Sequence, residues 1–441
     1  MRDAGRVAAA IAVLEDMENR HKPFRMALKA WADASRYAGS KDRAFVSGLV
    51  LDALRHRQSL GWRMGAQTPR AVVLATLRFT WGWPLERLTQ SVEEPPHGVG
   101  ALSPAEAEHL AVERSLAPAD PWIQGDYPDW LDPYFARVFA DGRAVEAQAL
   151  ASRAPIDLRV NSLKSDSARA LKALEPLSAQ VAGVMTHALR IAAPGATDKA
   201  PPVEAIPEFG KGWFEVQDLG SQIAAAAAGV IKGKQVLDYC AGGGGKTLAL
   251  AAAMGNSGQL YAYDADARRL ADTVRRAERA GVRNLQVRTP LRADALEGLD
   301  GRMDVVFVDA PCTGSGTWRR HPDAKWRLTP TQLERRMAEQ DAVLAGAAAF
   351  VKPGGRLVYV TCSLLMEENE DRIAAFLAGH ADFEPISALE QIDASGQMEP
   401  DGLTGLAERQ TPQQALRLTP HSLGSDGFFV AVLRRGGLAK A

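Results

Sequence analysis

Apolar residues recur at helical spacing through VAAAIAVLEDM, SKDRAFVSGLVLDALRHRQSLGW and RAVVLATLRFTWGW, and few alternating β-branched runs interrupt them. This pattern predicts an all-α domain over residues 1–120. Residues 91–120 are rich in Pro, Gly and acid, which predicts a connection holding one short helix. DYPDWLDPYFARVFADGRAVEAQALA predicts two helices, IDLRVNSLK alternates like a strand, ALRIAA reads as another, and PGATDKAPP reads as a loop. The expectation for residues 121–205 is therefore a small α+β domain. From residue 206 to 441 the pattern changes again. KQVLDYC, QLYAYDAD, NLQVRT, MDVVFVDAP and GRLVYVTC read as strands, with helices such as KTLALAAAM and ARRLADTVRRAERAG between several of them. That alternation predicts a parallel, doubly wound, Rossmann-like α/β sheet, closed by GFFVAVLRR.

Composition narrows the classes. With 441 residues at 46% hydrophobic, the chain supports two or three domains with real cores. Its formal net charge of −1 means that nucleic acid, if bound, meets a local patch. Residues 1–70 hold 13 Lys and Arg against 7 Asp and Glu, with Arg20, Lys22, Arg25, Lys29, Arg36, Lys41 and Arg43 close together. Such a cluster is either a solvated helical face or a phosphate-contacting one. The three cysteines argue against a disulfide framework and for a reducing compartment, and none shows zinc-site spacing, so no metal is expected. The N-terminal stretch reads as an amphipathic helix and not a signal peptide, and no apolar run reaches the roughly 18 residues that a membrane span needs. The expectation is a cytoplasmic protein, monomeric, with no membrane partner.

Candidate chemistry gathers at strand ends, where open α/β sheets bind ligands. Asp238-Tyr-Cys-Ala-Gly-Gly-Gly-Gly-Lys-Thr247 puts four glycines after a strand, which lets backbone approach a ligand closely. It is no phosphate-cradling P-loop, because Cys240 stands where that motif needs its first glycine. Asp264 ends the next strand, where a carboxylate accepts both hydroxyls of a ribose. Asp309-Ala-Pro-Cys-Thr-Gly-Ser-Gly316 and Thr361-Cys362-Ser363 place Cys312 and Cys362 at two further strand ends. A lone cysteine is most often a small buried residue, but two in one pocket beside a nucleoside site point to nucleophilic chemistry.

FEVQDLGSQ, LDYCAGGGGKT, DAPCTGSGTWRRHPDAKW, TCSLLMEENE and GFFVAVL together resemble the Sun/Fmu family of RNA cytosine-C5 methyltransferases. The resemblance is closest to its bacterial ribosomal RNA type, which carries an N-terminal NusB-like domain; DRAFVSGLVLDALRHR is similar to a NusB-type helix. It implies S-adenosylmethionine as methyl donor and cytosine in RNA as acceptor. It also implies Cys362 as nucleophile, Cys312 in release of the RNA, Asp309 on the cytosine's polar edge, and Lys246 near donor and target. For the donor it implies Cys240, Ala241, Gly242, Gly243, Gly244, Gly245 and Lys246 under the methionine part, Asp264 on the ribose, and Arg269, Asp294 and Asp309 nearby. Two departures stand out. Gly242 and Gly243 replace the family's Ala-Pro, so ordering this loop should cost about 1 kcal/mol more. VRTPLRADA carries an insertion that moves Asp294 a few residues later than the family's acid.

TWRRHPDAKWR interleaves basic and aromatic residues, which predicts phosphate contacts and base stacking by Arg319, Arg320, His321, Lys325 and Trp326. The leading function is an RNA cytosine-C5 methyltransferase acting on small-subunit ribosomal RNA. The rivals are a transfer RNA or DNA target, an RNA assembly factor that binds the donor without turnover, and an oxidoreductase, which the missing GxGxxG disfavours.

Overall fold

The computed structural model describes residues 1–198 and 201–437. The chain forms two compact units. One holds Met1–Arg153, a short stretch from Pro194, and Trp318–Leu328; the other holds the remainder.

The first unit is helical. Its principal helices span Asp3–Arg20, Phe24–Ala34, Ser40–Arg55, Arg57–Met64, Pro69–Ala75, Leu85–Glu93 and Pro104–Ala111. Local chemistry sets several boundaries. Thr68 caps its helix by accepting from the Ala71 N–H, with Pro69 in the first turn. Ser103 and Glu106 form a reciprocal capping box ahead of the short helix expected within 91–120. The apolar faces meet in one core that includes Val46, Leu49, Val50, Leu74, Leu77 and Leu88. The two helices expected after residue 121 form as Asp132–Phe139 and Arg143–Ala151, but they belong to this helical unit. Phe135 is the reason, because it stacks on both Tyr127 and Trp318 within that unit. The expected boundary at residue 120 is therefore displaced to Arg153.

In the second unit, β1 (Ile156–Val160), β2 (Gln180–Val181), β3 (Ala188–Ile191) and β4 (Phe214–Val216) make an antiparallel sheet in the order β2-β3-β1-β4. This small sheet belongs with the larger sheet and is not a separate compact domain. The Asn161 amide donates to the carbonyls of Gly212 and Ala280, both at 2.8 Å, and the Asp157 carboxylate accepts from Leu219 N–H. These polar ties between buried groups hold the two sheets as one unit.

The large sheet contains β5 (Gln235–Asp238), β6 (Gln259–Tyr263), β7 (Leu285–Arg288), β8 (Met303–Asp309), β9 (Val351–Thr361), β10 (Phe383–Ile386), β11 (Leu416–Leu418) and β12 (Phe428–Arg435). Its order is β10-β12-β9-β8-β5-β6-β7, with β11 paired to β12. Strands β5 to β9 are parallel, as their apolar runs predict. Along β8, Val305 and Phe307 join one core while Val306 and Val308 join the other, so both faces are covered. The expectation of an all-parallel sheet needs correction at its edge: β12 runs antiparallel between β9 and β10. Its run FFVAVL is buried throughout, which suits an interior strand of either direction. The strand order reverses between β5 and β8, opening a crevice at their C-terminal ends.

Candidate active site

The glycine-rich stretch follows β5 as a turn and leads into the helix Gly245–Met254. Gly242 and Gly244 adopt φ of +53° and +81°, backbone that side chains rarely enter. A Cβ on Gly244 would lie 2.9 Å from Thr273 Oγ1, so the turn packs too closely for any other residue. Asp264, buried at the end of β6, accepts from the N–H groups of Gly242 and Asp266, each at 2.9 Å. Arg269 lies 3.4 Å from the same carboxylate. A carboxylate has about four lone-pair positions, so Asp264 keeps capacity for ribose hydroxyls. Bare backbone at the turn and an acid one strand over suit a nucleoside-bearing donor. Burial pushes the Asp238 carboxyl up to about 7, and Thr247 Oγ1 donates to it at 2.6 Å. Burial, reinforced by nearby acids, also holds the Cys240 thiol well above its ordinary range, which makes Cys240 a poor nucleophile.

The ends of β8 and β9 lie beside this turn in the sheet order. Lys246, in the first turn of the helix after the glycines, donates to Asp309 at 2.7 Å. Burial opposes the Lys246 charge, but Asp309 outweighs it and raises the lysine pKa above its usual value. Lys246 also sits 5.2 Å from the centre of the Phe428 ring. The sulfurs of Cys312 and Cys362 are 3.3 Å apart. The Cys312 thiol is held well above its ordinary range by its hydrogen bond with Cys362 and by burial. Cys312 therefore keeps its proton at neutral pH.

A set of residues that the sequence pattern does not single out binds these two loops together. Glu368, fully buried, accepts from Thr313 N–H at 2.8 Å and from Gln340 Nε2 at 3.0 Å, and also from the hydroxyls of Thr313 and Ser363. Ser315 Oγ accepts from Leu364 N–H at 2.8 Å, and Gly316 N–H donates to the Cys362 carbonyl at 2.9 Å. The one local signal is an acid in MEENE, within two turns of Cys362.

Other expected site residues lie elsewhere. Asp294 sits on an exposed turn and pairs with Arg292 at 2.9 Å. The segment expected to contact RNA is largely inside the helical unit. Lys325 is buried and donates to the carbonyls of Arg55, at 2.9 Å, and Asp126. Trp326 Nε1 donates to Leu54 O at 2.7 Å, and Arg319 offers its carbonyl to Arg55 at 2.6 Å. Arg319, Lys325 and Trp326 are therefore structural here, because apolar packing against this core wins over exposure to phosphate. His321 is exposed and Arg320 half-buried. In the N-terminal basic cluster, Arg20 and Lys22 pair with Asp16, and Lys29 pairs with Asp33. No helix among the described residues is long and apolar enough to cross a membrane.

The family model described as 16S rRNA methyltransferase RsmB/F matches residues 229–434, which include the glycine turn, Asp264, Asp309, Cys312, Cys362 and Glu368. The ribosomal RNA small subunit methyltransferase B of Erwinia tasmaniensis is 30% identical over 430 residues, covering 91% of this chain and 92% of that protein. The probable ribosomal RNA small subunit methyltransferase B of Synechocystis sp. is 32% identical over 319 residues, covering 71% of this chain and 67% of that protein. A solved methyltransferase homologue from Pyrococcus horikoshii superposes with a TM-score of 0.57 at 26% identity, covering 73% of this chain and 100% of its own. The glycine turn, the strand-end acids and these matches agree: the chain belongs to the 16S rRNA methyltransferase RsmB/F family, whose members depend on S-adenosylmethionine.

Proposed function

We propose that this chain methylates C5 of a cytosine in small-subunit ribosomal RNA, with Cys362 as the nucleophile. The observation that carries this reading is the 3.3 Å approach of Cys312 and Cys362 at neighbouring strand ends, in the same sheet-end crevice as the Lys246–Asp309 pair. C5 of cytosine is a poor nucleophile. When the Cys362 sulfur bonds to C6, the C5=C6 electron pair becomes available at C5. S-adenosylmethionine supplies the methyl group that C5 takes. The C5 proton then passes to solvent water, the C5–H electron pair re-forms the C5=C6 bond, and the S–C6 bond breaks with its electrons returning to sulfur. Asp309 accepts from the cytosine's polar edge, and the Lys246 ammonium, 2.7 Å away, holds it in orientation. Cys312, which holds its proton, serves the release step. The donor is held by the turn from Cys240 to Gly245, with Asp264 on the ribose. The target base has to be unpaired or turned out of its stack to reach a strand-end pocket.

The test is methyl transfer from labelled S-adenosylmethionine to ribosomal RNA lacking this modification. Label should appear at cytosine C5 of the small-subunit RNA and vanish with Cys362→Ala. Cys312→Ala should accumulate protein covalently joined to RNA. Retained activity in Cys362→Ala, together with normal turnover in Cys312→Ala, overturns the mechanism. Label in transfer RNA alone overturns the substrate.

A further inference from the structure

We infer that Glu368 is a positioning residue for both cysteines, setting the sulfur–sulfur approach on which the reaction relies; the inference rests on the reading of Cys362 as nucleophile. One carboxylate reaches both loops. Its acceptors take the N–H and hydroxyl of Thr313, next to Cys312, and the hydroxyl of Ser363, next to Cys362. Gln340 completes the set and ties in the Pro311 carbonyl at 2.9 Å, on the other side of Cys312. Glu368 is itself held in place. Tyr359 OH donates to its carbonyl at 2.7 Å, and Asn369 beside it bonds the Thr361 hydroxyl at 2.6 Å and the Ser363 carbonyl at 2.9 Å.

A buried carboxylate is unfavourable unless its lone pairs are met. Here four donors meet them, and three of the four come from residues adjacent to a cysteine. A purely structural anchor has no need to choose those neighbours. The backbone bond from Gly316 to the Cys362 carbonyl also joins the loops, but it leaves the Thr313 side of Cys312 unheld. None of these four hydrogen bonds goes to a sulfur, so Glu368 acts on the cysteines by positioning the loops that carry them. Misplacing reacting atoms by about 1 Å costs on the order of 10²-fold in rate.

Glu368→Ala removes the acceptor. Glu368→Gln preserves shape: its oxygen keeps the Thr313 N–H and Gln340, and its amide donates to the two hydroxyls, which also accept. The two variants and wild type are treated with diamide, which takes up the two protons and two electrons released when Cys312 and Cys362 join. Peptide mass spectrometry follows the linkage, and methyl transfer gives kcat and KM. Glu368→Ala should slow linkage by at least about tenfold and lower kcat by about 10²-fold, with KM within about twofold. Glu368→Gln should restore both to within about threefold. Unchanged kcat in Glu368→Ala overturns the inference, whatever the linkage rate. Should that variant fail to fold, Thr313→Val removes one donor only; slower linkage with lower kcat supports the inference, and wild-type values overturn it. Cys362→Ala separates the two ideas, since activity retained in it sinks the nucleophile independently of Glu368.

Discussion

Lys246 and Lys325 are both withdrawn from water, one beside the glycine turn and one inside the helical unit, and their protons are held in opposite ways. Lys246 faces a carboxylate at 2.7 Å, and its pKa rises despite burial. Lys325 has two backbone carbonyls and the nearby Arg55 cation, and burial pushes it down to about 7. A carboxylate hydrogen-bonded to a buried lysine makes it a dependable cation; carbonyl dipoles, even with the Asp126 charge near them, leave it able to lose its proton. Asp309 keeps 35% side-chain exposure, so the first pair opens toward whatever enters the site. The second is closed, with Asp126 and Arg55 buried around it. The first arrangement suits chemistry and the second suits cohesion.

The comparison breaks most visibly at Lys246. Lys246→Met should lower methyl transfer by about 10²-fold or more while the melting temperature stays nearly constant, because Asp309 can turn to solvent. A large melting shift with retained turnover would reverse the roles assigned to the two lysines. Lys325→Met should do the opposite. It strands two buried carbonyls, so denaturant unfolding of the helical unit should show a loss of about 2–4 kcal/mol, with kcat of the folded enzyme unmoved.

The pH dependence sharpens the same contrast. An unfolded lysine titrates near about 10.4, while Lys325 in the fold titrates at about 7. Between those values the unfolded chain holds a proton that the folded chain releases, so the Lys325 contribution to stability rises with pH across that window. Wild type minus Lys325→Met stability, measured from about pH 6.5 upward, should therefore grow with pH. A flat difference would mean that Lys325 stays charged in the fold.

The smallest effects concern the turn that carries Lys246. Gly242→Ala forces a side chain into a left-handed position and should cost about 1–2 kcal/mol, with weaker donor binding by calorimetry. Gly243 has no positive φ, and its Cβ would meet only Arg276 Nη1, at 3.7 Å. Gly243→Ala should therefore stabilise by about 0.5 kcal/mol. Equal effects at the two positions would mean that the turn is conformationally uniform.

Much of the site is legible in the amino-acid sequence. Asp264, Asp309, Cys312 and Cys362 lie at strand ends because apolar runs of about five residues stop there, and that periodicity is local. The glycines before Lys246 mark a close turn for the same reason. Glu368 is not legible as a bridge, since its partners Thr313 and Gln340 lie 55 and 28 positions away. TWRRHPDAKWR misleads because basic and aromatic residues together suit RNA and a buried clamp equally.

Sequence alone determined the alternation of strands and helices, the sheet-end placement of the chemistry and the resemblance to a methyltransferase family, since each depends on residue type and short-range spacing. Tertiary structure alone decided the direction of β12, the inclusion of residues 121–153 in the helical unit, the burial of Lys325 and the joining of two cysteine loops by one carboxylate. Those outcomes depend on partners such as Arg55 and Lys325, 270 positions apart, and no local pattern records which distant surface a side chain will meet.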